Sequence, residues 1–477
     1  MEKVTKKKYV RAGFIFVLSY LLIAAGAFVK YLAYGSFRSG DFTPEFFRAF
    51  TTCAAVTLLV YISLFTYLIY SRSNLIMFTR QLFAINVAVV LSVLVCLVVS
   101  AFELFYMPVM LAAFILAPLV NRRDVFVSNL LTNLLVAVIL LVESILGSKV
   151  DSIAVLMMLV VGIFGGSTVS YMLSGVVSRV KRVIVSLFIG VMSGSLIFVA
   201  SFLTDSFDFV QHIGFICLSV FGQPLVSLML QPLFEAVFNL VTDSRLDELT
   251  DHNSPLMKMM IRDALGTFNH SIAVAGFAEV CAIRIGENPY LAKACAYYHD
   301  VGKLKNPSFF AENQSGYNPH DELLPDVSAK IVAAHAHDGY ELCKKYRIPE
   351  EVARVTIQHH GTLPMMVFYY KAKKLTDGEV DINEYSYNGE TPVSKIAAII
   401  MVCDASEAAL RARGRISREE AEKLVAGIIA DRIARKQFDN CDITMRDLNI
   451  SKNTIVEQHS GVYHERVQYP SGVFKKV

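Results

Sequence analysis

Ala296-Tyr-Tyr-His299-Asp300-Val-Gly302-Lys303 sets a histidine and an aspartate side by side, then a glycine, then a lysine. His270 lies upstream of this stretch; His335, the pair His359-His360 and Asp404 lie downstream. Neutral imidazoles and carboxylates are ligands for divalent transition metals. These seven groups exceed what one ion needs, and adjacent ligands such as His299 and Asp300 suit a site in which a carboxylate bridges two ions. The segments that carry them have helical periodicity and little of the alternation expected of strands, so the domain around them is expected to be all-α.

The rest of the chain is of another kind. Of 477 residues, 54% are hydrophobic and 18% charged, and the mean hydropathy is +0.47, too apolar for an ordinary soluble protein of this length. The formal net charge of +3 is close to balance and gives no reason to expect a nucleic-acid polymer as partner. The 8 cysteines include no CxxC pair, so neither a thiolate zinc site nor a redox motif is indicated. The long apolar runs lie before residue 232, whereas of 11 histidines only His212 lies before residue 250.

The apolar half reads as a helical membrane bundle. A basic start containing Lys3, Lys6, Lys7 and Lys8 precedes a run over Val10–Tyr34, read as a retained anchor, with a cleavable signal peptide as the alternative. Further runs at 50–70, 81–102, 104–120, 125–147, 153–173, 183–204 and 211–230 bring the candidate spans to eight, each close to the roughly 20 residues that cross a bilayer. Cations gather in alternate connections: the tail, Arg72 and Arg80, Arg122 and Arg123, then Arg179, Lys181 and Arg182. This places both termini in the cytoplasm. The expected organisation is a tail and first anchor at 1–34, a short external loop at 35–49, seven spans at 50–231, a connecting helix at 232–255 and a cytoplasmic domain at 256–477. Glu143, Asn86, Asn129, Asn133 and Gln223 are polar groups within the spans, expected to bond between helices. No regular run of ionisable groups supports a transporter.

In the cytoplasmic half Asp404 sits in Ile399-Ile-Met-Val-Cys-Asp404-Ala405, and His335 follows Ile331-Val-Ala-Ala334. A bare polar group in such surroundings carries a desolvation cost that metal coordination removes. Two ions roughly 3.5–4 Å apart can neutralise a phosphodiester and activate water for in-line attack. Lys303 can add positive charge at the phosphate, and Asn313, Tyr369 and Tyr370 are candidates for base or sugar contact. His337, His212, His252, His320, His459 and His464 are read as bystanders, and no GxxxxGK[ST] loop is present.

These residues resemble the HD-domain phosphohydrolases. Leu265-Gly-Thr-Phe-Asn-His-Ser271, Tyr297-Tyr-His-Asp-Val-Gly-Lys303, Phe309-Phe-Ala-Glu-Asn-Gln314, Asn318-Pro-His-Asp321, Phe438-Asp-Asn-Cys-Asp-Ile-Thr-Met-Arg-Asp-Leu448 and Gly461-Val-Tyr-His-Glu-Arg-Val-Gln-Tyr-Pro470 are similar to the seven-transmembrane receptors with an intracellular HD hydrolase domain. The resemblance covers about residues 50–470. It implies a multi-pass protein of a bacterial cell membrane that hydrolyses cyclic di-AMP to pApA with two metal ions, iron or manganese. Carried over by motif, His270, His299, Asp300 and Asp404 hold one ion, Asp300 bridges, and His335, His359 and His360 hold the other. Two departures stand out. Gly35–Arg48 replaces the large extracellular domain of many members, and Asn269 stands where a second histidine is common. An HD hydrolase of cyclic di-GMP or of a mononucleotide, and a non-catalytic nucleotide receptor, remain alternatives, although His359-His-Gly-Thr-Leu-Pro364 lacks the Gly-Tyr-Pro typical of the cyclic di-GMP branch. A homo-oligomer is compatible with all of these.

Overall fold

The computed structural model describes residues 2–34, 44–70, 79–145, 150–174, 179–203, 208–375 and 378–462. Residues 35–43 of the expected external loop, Arg72, His464 and the last motif from 463 onward lie outside them. The chain divides into two compact units, Met1–Thr242 and Asp243–Val477. The described residues are helical or irregular, with only an isolated bridge between Pro364 and Ser386.

In the first unit six helices are long and apolar enough to cross a membrane, within Glu2–Tyr34, Pro44–Tyr70, Thr79–Val99, Arg122–Ile145, Ser152–Leu173 and Arg179–Leu203. The segment expected as a loop to residue 49 is therefore helical from Pro44. The run at 211–230 lies in a helical stretch from Phe209 to Phe238 that passes through a π-helical turn at Leu218–Gly222.

The run at 104–120 departs from the expectation of a regular span. It forms a 3₁₀ turn at Leu104–Tyr106 and a six-residue helix at Leu111–Leu116. Pro108 explains the break: it has no N–H, and it holds Met107 in an extended conformation, φ −57° and ψ 127°. Phe105 lies against His212, Met110 N–H donates to Gln223 Oε1 at 3.0 Å, and Ser227 Oγ donates to Phe114 O at 2.6 Å. The segment thus tracks the Phe209–Phe238 stretch from His212 to Ser227, about 20 Å at helical rise. Irregular backbone at membrane depth requires partners inside the protein. Gln223, Ser227 and Asn133, which donates to Val109 O at 2.9 Å, are those partners.

The other intramembrane polar groups also bond between helices, as expected. Tyr61 Oη donates to Asn86 Oδ1 at 2.7 Å, and Asn129 Nδ2 to Gly162 O at 2.9 Å. A Cβ on Gly162 or Gly166 would collide with the amides of Asn133 or Asn129, so these glycines let the two helices approach. Glu143 pairs with Lys30 at 3.3 Å, both side chains almost fully buried.

The stretch read as one connecting helix is broken. The helix to Phe238 ends with Asn239 in the left-handed region, φ 48°. New helices begin at Asp243 and at Pro255.

In the second unit Leu265–Ile285 packs beside Pro289–Tyr298, Lys395–Arg413 and Met445–Val462, and Pro325–Lys345 packs against the turn Val301–Lys305. Gly286, at φ 81°, ends the first of these, and Pro289 at the first helical position starts the next after Asn288 caps it. The stretch before His359 forms two short helices, Glu350–Ala353 and Val355–Gln358. Gly302 brings the chain after the His-Asp pair against the Pro325–Lys345 helix: a Cβ there would strike His335 O and the backbone of Gly339. Backbone cannot rotate aside as a side chain can. Gly302→Ala is therefore expected to cost about 1–3 kcal/mol, read as a lower melting temperature of the full-length protein in detergent. An unchanged melting curve would show that this close approach is not a constraint.

Candidate metal centre

Three helices and two turns deliver the site. Leu265–Ile285 carries His270, Pro325–Lys345 carries His335, and Lys395–Arg413 carries Asp404 and Glu407. His299 and Asp300 follow the end of Pro289–Tyr298, with Asp300 in the sparsely populated bridge region at φ −106° and ψ 10°. His359 and His360 follow Val355–Gln358.

These residues converge as two groups. Asp300, His335, His359 and His360 form one, and His270, His299 and Asp404 the other; in each group the potential ligand atoms lie within 4.8 Å of one another. Asp300 stands between them. Its Oδ1 is 3.3 Å from His335 Nε2 and 3.5 Å from His359 Nε2. Its Oδ2 is 3.3 Å from His299 Nε2 and 3.7 Å from His270 Nε2.

The imidazoles are held from behind. His299 Nδ1–H donates to Ala296 O at 2.7 Å, His335 Nδ1–H to Val332 O at 2.6 Å, and His359 Nδ1–H to Thr356 O at 2.8 Å. His270 Nδ1 meets Glu407 Oε2 at 2.5 Å. Each bond keeps a proton on Nδ1 and aims Nε2 inward, so that the neutral ring offers Nε2 as a ligand, the arrangement in which metal-binding histidines are found. His299 Nε2 and Asp300 Oδ1 are buried with no hydrogen-bond partner. Buried polar atoms are normally satisfied, and a cation between the groups would satisfy both. The donor set therefore fits metal.

Burial disfavours the imidazolium of His299, but Asp300 and then Asp404 outweigh it and lift its pKa to about 10. Burial also opposes charge on Asp300, yet Lys303 and His299 hold its carboxyl well below the usual range. Burial, with His359 beside it, pushes His360 well below an ordinary histidine. The histidine-rich group around His359 and His360 is thus ready to bind as neutral imidazoles, whereas His299 has a proton to lose.

A cavity of about 330 Å³ opens over both groups, lined among others by Lys303, Glu312, Tyr387, Arg411 and Arg432. Lys303 Nζ lies 2.7 Å from both Asp300 Oδ2 and Glu312 Oε1, and 5.0 Å from the Phe310 ring centre. Asn313 faces elsewhere: it accepts from Thr267 N–H at 3.1 Å and donates to Thr267 Oγ1 at 2.9 Å. Tyr369 packs with Tyr385 and Ala372, and Tyr370 is exposed; neither lines this cavity. His337 is exposed and outside both groups. Glu407 escaped notice in the sequence, although it lies three residues after Asp404 on the same helical face.

The HD domain family model matches residues 267–409, which include all seven ligand candidates. This segment is an HD domain. Over 262 residues the chain is 40% identical to the cyclic-di-AMP phosphodiesterase PgpH of Listeria monocytogenes serotype 1/2a (strain 10403S), a match covering 55% of this chain and 36% of that protein. It is 40% identical over 258 residues to PgpH of Bacillus subtilis (strain 168), covering 54% and 36%. The match thus spans 36% of the length of these curated relatives. The crystal structure of the L. monocytogenes PgpH HD domain in complex with cyclic-di-AMP is 40% identical, covers 45% of this chain and 100% of that one, and has a TM-score of 0.43.

Because a cation needs the bare Nε2 of His299, metal uptake by the stripped protein is expected to release a proton at neutral pH. Affinity should fall as pH drops from about 8 to about 6, where protons compete for the HD domain's imidazoles. Calorimetry in buffers of different ionisation enthalpy reads the proton release. Uptake without it, or affinity independent of pH, would contradict the protonation pattern.

Proposed function

We propose that this protein is a membrane-bound, metal-dependent phosphodiesterase that hydrolyses cyclic di-AMP to pApA. One observation carries the reading: the two oxygens of Asp300 face two separate groups of histidines, so a single carboxylate can serve two divalent ions. The likeness to the two PgpH proteins supports the substrate. His270, His299, Asp300 and Asp404 would hold one ion, and His335, His359 and His360, with Asp300 bridging, the other. Iron or manganese suits this mixed imidazole and carboxylate set. Such ions supply charge neutralisation of the phosphodiester and a water of lowered pKa.

The side chains around them do the rest. Glu407 holds His270 in its tautomer, and the carbonyls behind His299, His335 and His359 fix those rings. Lys303, held between Asp300 and Glu312 at the wall of the cavity, keeps Asp300 oriented and balances its charge. Tyr387 walls the cavity on the side of His360.

The membrane topology belongs to the same reading. Six helices are long and apolar enough to cross a membrane; with the Leu104–Leu116 segment and the Phe209–Phe238 stretch counted as two further passages, the chain would return to the side on which it started. With cations in alternate connections, this puts both termini and the HD domain in the bacterial cytoplasm, where a cyclic dinucleotide is made and used.

Full-length protein loaded with manganese is expected to convert cyclic di-AMP to pApA in preference to cyclic di-GMP. Asp300→Ala should lose at least about 10³-fold in kcat and part of its bound metal. Ion-exchange chromatography of the products and metal analysis check both. Full activity in Asp300→Ala or in chelator-treated protein rejects the mechanism, and a preference for another nucleotide rejects the substrate.

A further inference from the structure

A cavity of about 610 Å³ lies in the first unit, walled by three helices that are distant in the chain. The Glu2–Tyr34 helix contributes Arg11, Phe14 and Ile15, and the Thr79–Val99 helix contributes Arg80 and Phe83. The Gln223–Phe238 helix contributes its last two residues, Val237 and Phe238, with Asn239 just beyond them.

The three walls repeat one pattern. Arg11 stands three and four residues before Phe14 and Ile15, and Arg80 stands three before Phe83. Residues so spaced share a helix face, about one turn apart. On the third helix the order is reversed, with Val237 and Phe238 before Asn239, as it must be for a helix that ends where the other two begin. Each wall therefore has its polar residue toward the helix end and its apolar residues deeper. The rings of Phe83 and Phe238 meet edge to face, with centroids 5.3 Å apart. Phe14 and Val237, 69% and 64% exposed, leave apolar surface uncovered along the cavity.

The two arginines are not neutralised. Among the described residues neither guanidinium makes an ion pair, a hydrogen bond or a ring contact, and no carboxylate lines the cavity. Other arginines of the unit are engaged: Arg122 lies over the Tyr171 ring, Arg123 over the Tyr67 ring, and Arg182 donates to Gln231 Oε1 at 2.8 Å. Paired guanidiniums suit a phosphate, and the rings a turn deeper suit hydrocarbon. A soluble phosphate compound matches only the first feature and a neutral acyl chain only the second. A lipid with an anionic head matches both, and basic pockets between membrane helices are known to take such heads.

We propose that this cavity binds an anionic glycerophospholipid, with its phosphodiester between Arg11 and Arg80 and the upper part of its acyl chains along Phe14, Ile15, Phe83 and Val237. The inference rests on the reading of the first unit as a membrane bundle and adds a specific lipid site to it. The site joins the first helix of the chain to the last turn of Gln223–Phe238, beyond which the unit ends at Thr242. A bound lipid would fasten the two together at the place where the chain leaves the membrane unit.

The test titrates full-length protein in a neutral detergent with phosphatidylglycerol or with phosphatidylcholine of the same chains, and native mass spectrometry reads the bound lipid. Both carry the phosphate, but choline cancels its charge. Phosphatidylglycerol should bind about 10- to 30-fold more tightly, roughly fivefold for each arginine. Arg11→Gln with Arg80→Gln should reduce that preference to within about threefold. Arg122→Gln with Arg123→Gln, which removes two cations that do not line the cavity, should keep it. Melting temperatures report whether either variant is misfolded, and the comparison of lipids on the wild type needs neither. Equal binding of the two lipids by the wild type overturns the proposal. So does an equal loss of preference in both double variants, which would mean a general surface charge, or binding of inorganic phosphate as tight as that of phosphatidylglycerol. If the protein stays in solution without detergent, the membrane reading fails and the site falls with it, whereas equal lipid binding by a protein that needs detergent removes the site alone.

Discussion

A single buried carboxylate holds the catalytic half together. Asp300 reaches both groups of histidines, and Lys303 reaches Asp300. In so buried a place an anion is tolerated only with charge and hydrogen bonds around it. Much of the second unit supplies them. Gly302 permits the tight passage after the His-Asp pair, Asn288 and Pro289 fix where the preceding helix starts, and Glu312 anchors the far side of Lys303. The cavity then opens on the side where Tyr387, Arg411 and Arg432 stand.

The membrane unit obeys a different constraint. There the cost lies in backbone groups without partners, because lipid offers none. The broken segment around Pro108 could not persist facing lipid. It persists because Gln223, Ser227 and Asn133 meet its free N–H and carbonyl groups. The amides that looked out of place in apolar helices are thus the complement of a helix that proline interrupts. The buried pair Lys30 and Glu143 follows the same logic, each charge stabilised by the other.

Two neighbouring cavities of the second unit share His360, Tyr387 and Arg432. One lies over the histidines and carboxylates; the other runs along Leu363 to Met366 and Asp431 to Arg435. Arg432 lies beyond residues 267–409 and therefore outside the matched HD segment. The walls around the two groups thus draw on residues both inside and outside the matched segment.

The residues that converge in the two groups were legible in the sequence because they have unusual neighbourhoods: a His-Asp pair before Gly-Lys, a double histidine, and an aspartate within apolar residues. The apolar runs were legible because crossing a bilayer demands length and composition, both of which are local. What needed the tertiary structure was every pairing across distance. Nothing near Lys30 in the chain points to Glu143, nothing near Arg432 points to His360, and Asn313 gave no sign that Thr267 would claim it. Nor did length alone reveal that the run after Leu104 would be irregular, since a proline breaks a helix only where other segments can satisfy the backbone it frees. Ligand type and span length are properties of neighbouring residues, whereas partners and cavities exist only once helices far apart in the chain have packed.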